Sequence, residues 1–165
     1  MRKAIKIIVI ITLFGLLLPA QGVVPVQNAT PKDWHKSSFW FSPWGQSGVH
    51  KGIDIFAPKG TRVIASTTGL VLFSGNIAIG GNVVAVLGPK WRIHYYAHLQ
   101  SINAKKFDWA AKGNIIGTVG TSGNAKGKPP HLHYSIVTLL PYPWRITAGW
   151  QGWKRMFYLN PIEQF

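Results

Sequence analysis

A mostly β domain, built on a single antiparallel β-sheet and preceded by a hydrophobic N-terminal leader, is the architecture this sequence predicts. Three observations carry that expectation. Eighteen Gly and eleven Pro are spread along 165 residues that hold only two Met, a composition suited to short strands and tight turns rather than to a helical bundle. Runs rich in Val, Ile and Tyr recur between Gly- and Pro-containing turn signals from Gly60 onward. Helical periodicity is not evident outside the leader. A hydrophobic fraction of 47% with eight Trp can fill one core of this size, so one domain is expected.

The elements follow in chain order. Residues 1–22 read as a secretory signal peptide or a membrane anchor: Arg2, Lys3 and Lys6 lead an apolar run over residues 7–18 that Pro19 ends. That run is short for a span of about 20 residues, and Ala20-Gln21-Gly22 offers the small residues a signal peptidase reads. Residues 23–47 mix Pro, Ser, Asn and Gly with Trp34, Phe39, Trp40, Phe41 and Trp44, which predicts an irregular segment wrapped over the domain by its aromatic side chains. Residues 48–165 form the domain proper. Strands are expected at 62–66, 69–74, 82–87, 91–98, 115–119 and 131–137, with 82–87 and 91–98 closing a hairpin across Gly88-Pro89-Lys90. Residues 102–111 read as a short helical turn or a loop.

The formal charge of +14 arises from scarce acids: Asp33, Asp54, Asp108 and Glu163 are the only carboxylate side chains. Chemistry that needs paired carboxylates is nearly excluded. A basic surface draws polyanions, and charge alone does not choose among nucleic acid, anionic lipid headgroups and an acidic wall polymer; no nucleic-acid recognition pattern accompanies it. The absence of cysteine removes thiolate metal sites and disulfides.

Two short patterns carry metal-ligating chemistry, His50-Lys51-Gly52-Ile53-Asp54 and His131-Leu132-His133. Side chains two or four apart on an extended strand share a face, so His131 and His133 project together, and so do His50 and Asp54 if that segment is extended. Imidazole and carboxylate are zinc ligands, and a catalytic zinc site keeps one position open. Spacing does not separate His131 from His133 as the ligand. A third group, His94, Tyr96 and His98, alternates along 91–98 and is expected on one strand face, with His94 as a hydrogen-bonded strand histidine at a groove margin. No His-Glu-x-x-His pattern supplies a Glu base, which turns attention to histidines for proton transfer.

The ordered set His50-x-x-x-Asp54, Tyr96-Ala97-His98-Leu99, the Gly-rich stretch 117–123 and Pro130-His131-Leu132-His133-Tyr134 resembles the lysostaphin/LytM family of zinc metallopeptidases. The resemblance runs from about Gly48 to Val137, with Leu159-Asn160-Pro161 as a C-terminal completion. It implies a loop-walled active-site groove, Zn2+ held by His50, Asp54 and His133, and His98 and His131 beside the metal as catalytic residues whose individual roles stay open. It further implies an exported endopeptidase of the periplasm or cell envelope that acts on peptide cross-links of peptidoglycan. A noncatalytic wall-binding protein or amidase activator is the alternative, and such members typically lack metal ligands or catalytic histidines that this chain retains. The sequence leaves the oligomeric state open.

Overall fold

The structure is a computed structural model that describes residues 2–165; Met1 of the leader lies outside the described residues. Among the described residues are one α-helix, α1 (Arg2–Leu17), and nine strands: β1 (Ile53–Phe56), β2 (Arg62–Ile64), β3 (Gly69–Ile77), β4 (Gly81–Gly88), β5 (Arg92–Ile102), β6 (Trp109–Ala110), β7 (Ile115–Val119), β8 (His131–Thr138) and β9 (Tyr158–Leu159). All nine belong to one antiparallel sheet with the order β1-β8-β5-β4-β3-β6; β9 joins the free edge of β8, and a β2–β7 arm pairs with the far end of β5. The expected hairpin is β4–β5, joined through a 3-10 turn at Pro89–Trp91. The expected strand at 62–66 stops at Ile64, and residues 102–111 form a loop that ends in β6.

Alternation along the two central strands separates core from groove. Leu132, Tyr134 and Ile136 of β8 and His94, Tyr96 and Leu99 of β5 are buried on one side with Ile53 and Ile55 of β1. Their neighbours in sequence, His131, His133, Ser135, Tyr95 and Ala97, line the groove on the other side. Burial of so many branched and aromatic side chains, each worth about 1.5–3 kcal/mol, fixes the register. A one-residue slip of β8 would put Leu132 and Tyr134 in the groove.

Residues 23–47 contribute to this core as well as covering it. Val26 bridges to Val63 and is buried, Trp34 is buried edge-on to Phe165, and Phe39 packs against the same cluster. Trp40 packs on Tyr158 and receives the Arg155 guanidinium over its ring. Helix α1 leaves most of its apolar side chains exposed, and its seat is Gly15 against the indole of Trp91, whose Nε1–H donates to the Thr12 carbonyl at 3.0 Å. No helix among the described residues is long and apolar enough to cross a membrane.

Candidate active-site groove and metal centre

The groove has a volume of about 710 Å³ and is floored by β1, β8 and β5. Backbone pairing sets Asp54 of β1 directly opposite His133 of β8, and His133 opposite Ala97 of β5. His50 precedes the strand and is held by a different device. Its N–H donates to the Phe41 carbonyl, and its carbonyl accepts from Trp40, so residues 40–41 clamp it against the sheet. The link to β1 passes through Gly52, where any Cβ would run into the Tyr134 carbonyl and Ser135 Oγ. Only glycine fits that close approach.

His50 Nε2 lies 3.1 Å from Asp54 Oδ1 and 3.1 Å from His133 Nδ1, and His133 Nδ1 lies 2.8 Å from the same Oδ1. The His50 Nδ1–H donates to the Ser38 carbonyl at 3.0 Å, because a carbonyl can only accept. In the neutral ring Nε2 is therefore a bare lone pair. His133 meets Ser135 Oγ through its other nitrogen at 3.0 Å, which leaves Nδ1 to the cluster. Two imidazole nitrogens and a carboxylate oxygen thus converge within 3.1 Å of one another, a group that could hold a metal ion. Tetrahedral zinc at about 2.0–2.1 Å from each ligand places ligand atoms about 3.4 Å apart, and the observed separations lie a few tenths of an ångström below that. The three residues fit the metal, and the Ser38 and Ser135 contacts stand where outer hydrogen bonds would orient imidazoles toward it.

His98 and His131 complete the rim. His131 Nδ1–H donates to the Pro129 carbonyl at 2.8 Å, and its Nε2 stands 3.9 Å from Asp54 Oδ2. His98 Nδ1–H donates to the Ser122 carbonyl at 2.9 Å, and the two rings meet edge to face with centroids 5.1 Å apart. In the neutral ring, each anchor therefore leaves Nε2 as a lone pair turned away from it. The expectation that His94, Tyr96 and His98 share a face is corrected here. Between Tyr96 and Leu99, two residues of β5 oppose the single Val83 of β4, and His98 takes a left-handed φ of 64° with its N–H on the Gly80 carbonyl. This β-bulge turns His98 into the groove beside Ala97. His94 also departs from its expected place at the groove margin: it is buried on the core side, with Nδ1 2.6 Å from the Tyr134 hydroxyl.

Sequence comparison bears on this geometry. Residues 48–140 match the description "Peptidase family M23". The chain belongs to that family. Among curated relatives, it is 34% identical over 114 residues to the peptidoglycan DD-endopeptidase ShyC of Vibrio cholerae, covering 66% of this chain and 26% of ShyC. It is 33% identical over 171 aligned residues to the L-Ala–D-Glu endopeptidase of Bacillus subtilis, covering 90% of this chain and 51% of that protein. The chain thus spans about half or less of the length of these two relatives. The catalytic domain of lysostaphin from Staphylococcus simulans superimposes with a TM-score of 0.62 at 26% identity, over 76% of this chain and 86% of that domain.

Charge at this M23 site follows from burial and contact. Burial alone would raise the Asp54 carboxyl, but its contacts with the His133 and His50 imidazoles outweigh it and hold the group well below the usual carboxylate range. Burial pushes His133 down, against the pull of Asp54. His98 is pushed down to about 4, first by burial and then by His133 and His131, with the Ser122 carbonyl and Asp54 offsetting only part. His94 is pushed down to about 3 by burial and the nearby Arg92. All five site residues expected from the sequence are brought together. Trp44, Ser38 and Ser122 were missed: Trp44 stacks on the His50 ring at 4.1 Å, and the other two act through backbone carbonyls, which no side-chain pattern reveals. Ser135 could have been found, since it sits two residues from His133 on the same strand face.

Proposed function

We propose that this chain is a zinc-dependent endopeptidase that hydrolyses peptide cross-links of bacterial peptidoglycan, with His50, Asp54 and His133 as metal ligands and His98 and His131 as catalytic residues. The observation that carries the reading is the convergence of His50 Nε2, His133 Nδ1 and Asp54 Oδ1 within 3.1 Å, with the far nitrogen of His50 already donating to a backbone carbonyl. M23 membership and relatives named as peptidoglycan endopeptidases support the substrate class.

Zinc bound there supplies Lewis acidity for the scissile carbonyl and for water. The chain does the rest. The β1, β8 and β5 floor is the place for an extended peptide, with Phe56 and Trp44 on the groove wall. His98 and His131, each anchored through Nδ1, keep Nε2 free to take a proton from the attacking water and return it to the leaving amine. Anchoring matters because a freely rotating imidazole would rarely point its lone pair at the reacting atoms.

The leader, residues 1–22, is proposed to direct export to the periplasm or cell envelope, with residues 23–47 as a covering segment and 48–165 as the peptidase domain. Fractionation tests this: full-length protein recovered as soluble cytoplasmic material would contradict it. The hydrolase is tested by metal analysis of purified protein together with release of peptides from purified peptidoglycan. A metal-loaded, folded protein that releases none would favour a noncatalytic wall-binding role.

A further inference from the structure

The segment between β8 and β9, residues 139–157, exposes Leu139, Trp144, Ile146, Trp150 and Trp153, three of them more than half accessible indoles. Arg145, Lys154 and Arg155 lie among them, with Lys154 Nζ over the Trp153 ring, and the chain has no carboxylate side chain between Asp108 and Glu163. Nearly all of this segment lies beyond the M23 match, which ends at residue 140. A sugar-binding platform would ordinarily offer carboxylates and amides to hydroxyl groups. Exposed Trp among Lys and Arg is instead the composition of a membrane–water interface, where indoles sit at headgroup level and cations meet anionic lipid.

Position points the same way. The Leu139 N–H donates to the Trp91 carbonyl at 2.9 Å, and the Trp91 indole donates to Thr12 of α1. One residue therefore joins the root of the segment to the exposed apolar helix. At 16 residues α1 reaches about 24 Å, less than the hydrocarbon core of about 30 Å, which leaves a role for a second attachment signal beside it.

We propose that residues 139–157 form that second signal, an interfacial patch that binds the surface of an anionic phospholipid bilayer beside α1. The other side of the patch buttresses the groove: Gln151 donates to the Ser47 carbonyl, and the Trp150 indole packs on Gly48. Binding would hold the groove rim close to the bilayer. The inference does not depend on what the groove hydrolyses; it requires only that α1 stays on the chain as an anchor.

The test uses the full chain and vesicles of phosphatidylglycerol and phosphatidylcholine, with and without brominated acyl chains. Helix α1 contains no Trp, so quenching reports the indoles of the rest of the chain. Bromolipid should quench part of the wild-type emission. The triple variant W144F/W150F/W153F should lose most of that quenching, with Trp91 beside α1 keeping its share, while still sedimenting with vesicles through α1. The variant R145Q/K154Q should bind phosphatidylglycerol vesicles roughly 25-fold more weakly, at about fivefold per cation, and phosphatidylcholine vesicles equally well. Unchanged zinc content and unchanged peptide release by the charge variant keep this test separate from the hydrolase reading. Equal quenching in wild type and W144F/W150F/W153F would overturn the proposal. So would unaltered vesicle binding by the charge variant together with lost retention on peptide-free glycan strands.

Discussion

The two faces of the central strands carry the same residue type to opposite ends. On the core face His94 is sealed against Tyr134, with no outlet to a substrate. On the groove face His98, His131 and His133 each spend one ring nitrogen on an anchor and turn the other toward Asp54 or open space. His94 and His98 are four apart on β5 and would share a face in a regular strand. A single bulge sends one inward to packing and the other outward to the groove, so the backbone irregularity, rather than the residue type, assigns the place.

The largest test of that contrast removes a ligand. Asp54→Asn and His133→Ala should each lose bound zinc, with peptide release falling to background, whereas a core-face H94F/Y134F double variant should keep one zinc per chain and wild-type release. Metal analysis beside a digestion assay reads all three. Zinc retained at full stoichiometry by His133→Ala would break the ligand set.

Next comes the split within the groove face. His98→Ala and His131→Ala should keep zinc and fold while losing about 10²–10⁴-fold in peptide release, the usual worth of general acid–base assistance. Asp54 is the only carboxylate among the described residues that line the groove, and its Oδ1 already faces His50 and His133, so nothing else stands ready to move the proton. Wild-type rates in both would show that these imidazoles only line the site.

A smaller effect is expected one contact further out. Ser135→Ala deletes the hydroxyl that orients His133 and should weaken zinc affinity about 10–100-fold, as loss of an outer-shell partner does. A competition titration with a chelator measures it. Lys51, which donates to the Ser47 carbonyl beyond the metal cluster, provides the control: Lys51→Met should leave zinc affinity within the error of the titration.

The core face predicts a pH effect. Burial and Arg92 push His94 down to about 3, below its ordinary value of about 6.5 in the unfolded chain. The unfolded state therefore takes the proton first as pH falls, so this histidine's contribution is whole above about pH 6.5 and is lost progressively toward pH 3. Thermal melts of wild type and H94F/Y134F over pH 4–8 should show a shallower acid-side decline in the variant. Parallel declines would mean that His94 is not buried as neutral imidazole.

How much was legible in the sequence divides along the same line. The regular strand β8 made the shared face of His131 and His133 readable from alternation alone, and the Gly-rich and Pro-rich punctuation placed most strands within a few residues. Asp54 stood out because so few acids compete with it. The His98 bulge was not readable, because it is set by Val83 across the sheet and by the Gly80 carbonyl, and strand periodicity carries no term for either. The same holds for Trp44 and Ser38, which a loop brings onto His50 from outside the motif. Resemblance supplied the choice of His133 as the ligand; strand register sets His133, not His131, opposite Asp54.

The central claim is that the groove face is a metal-dependent peptidase centre. Its most direct test is peptide release from purified peptidoglycan by the native protein, by the protein stripped with chelator, and by the stripped protein given one equivalent of zinc, with metal content measured in each sample. The account predicts one zinc per chain in the native protein, release abolished by stripping and restored by zinc. Release that survives complete removal of metal would contradict it.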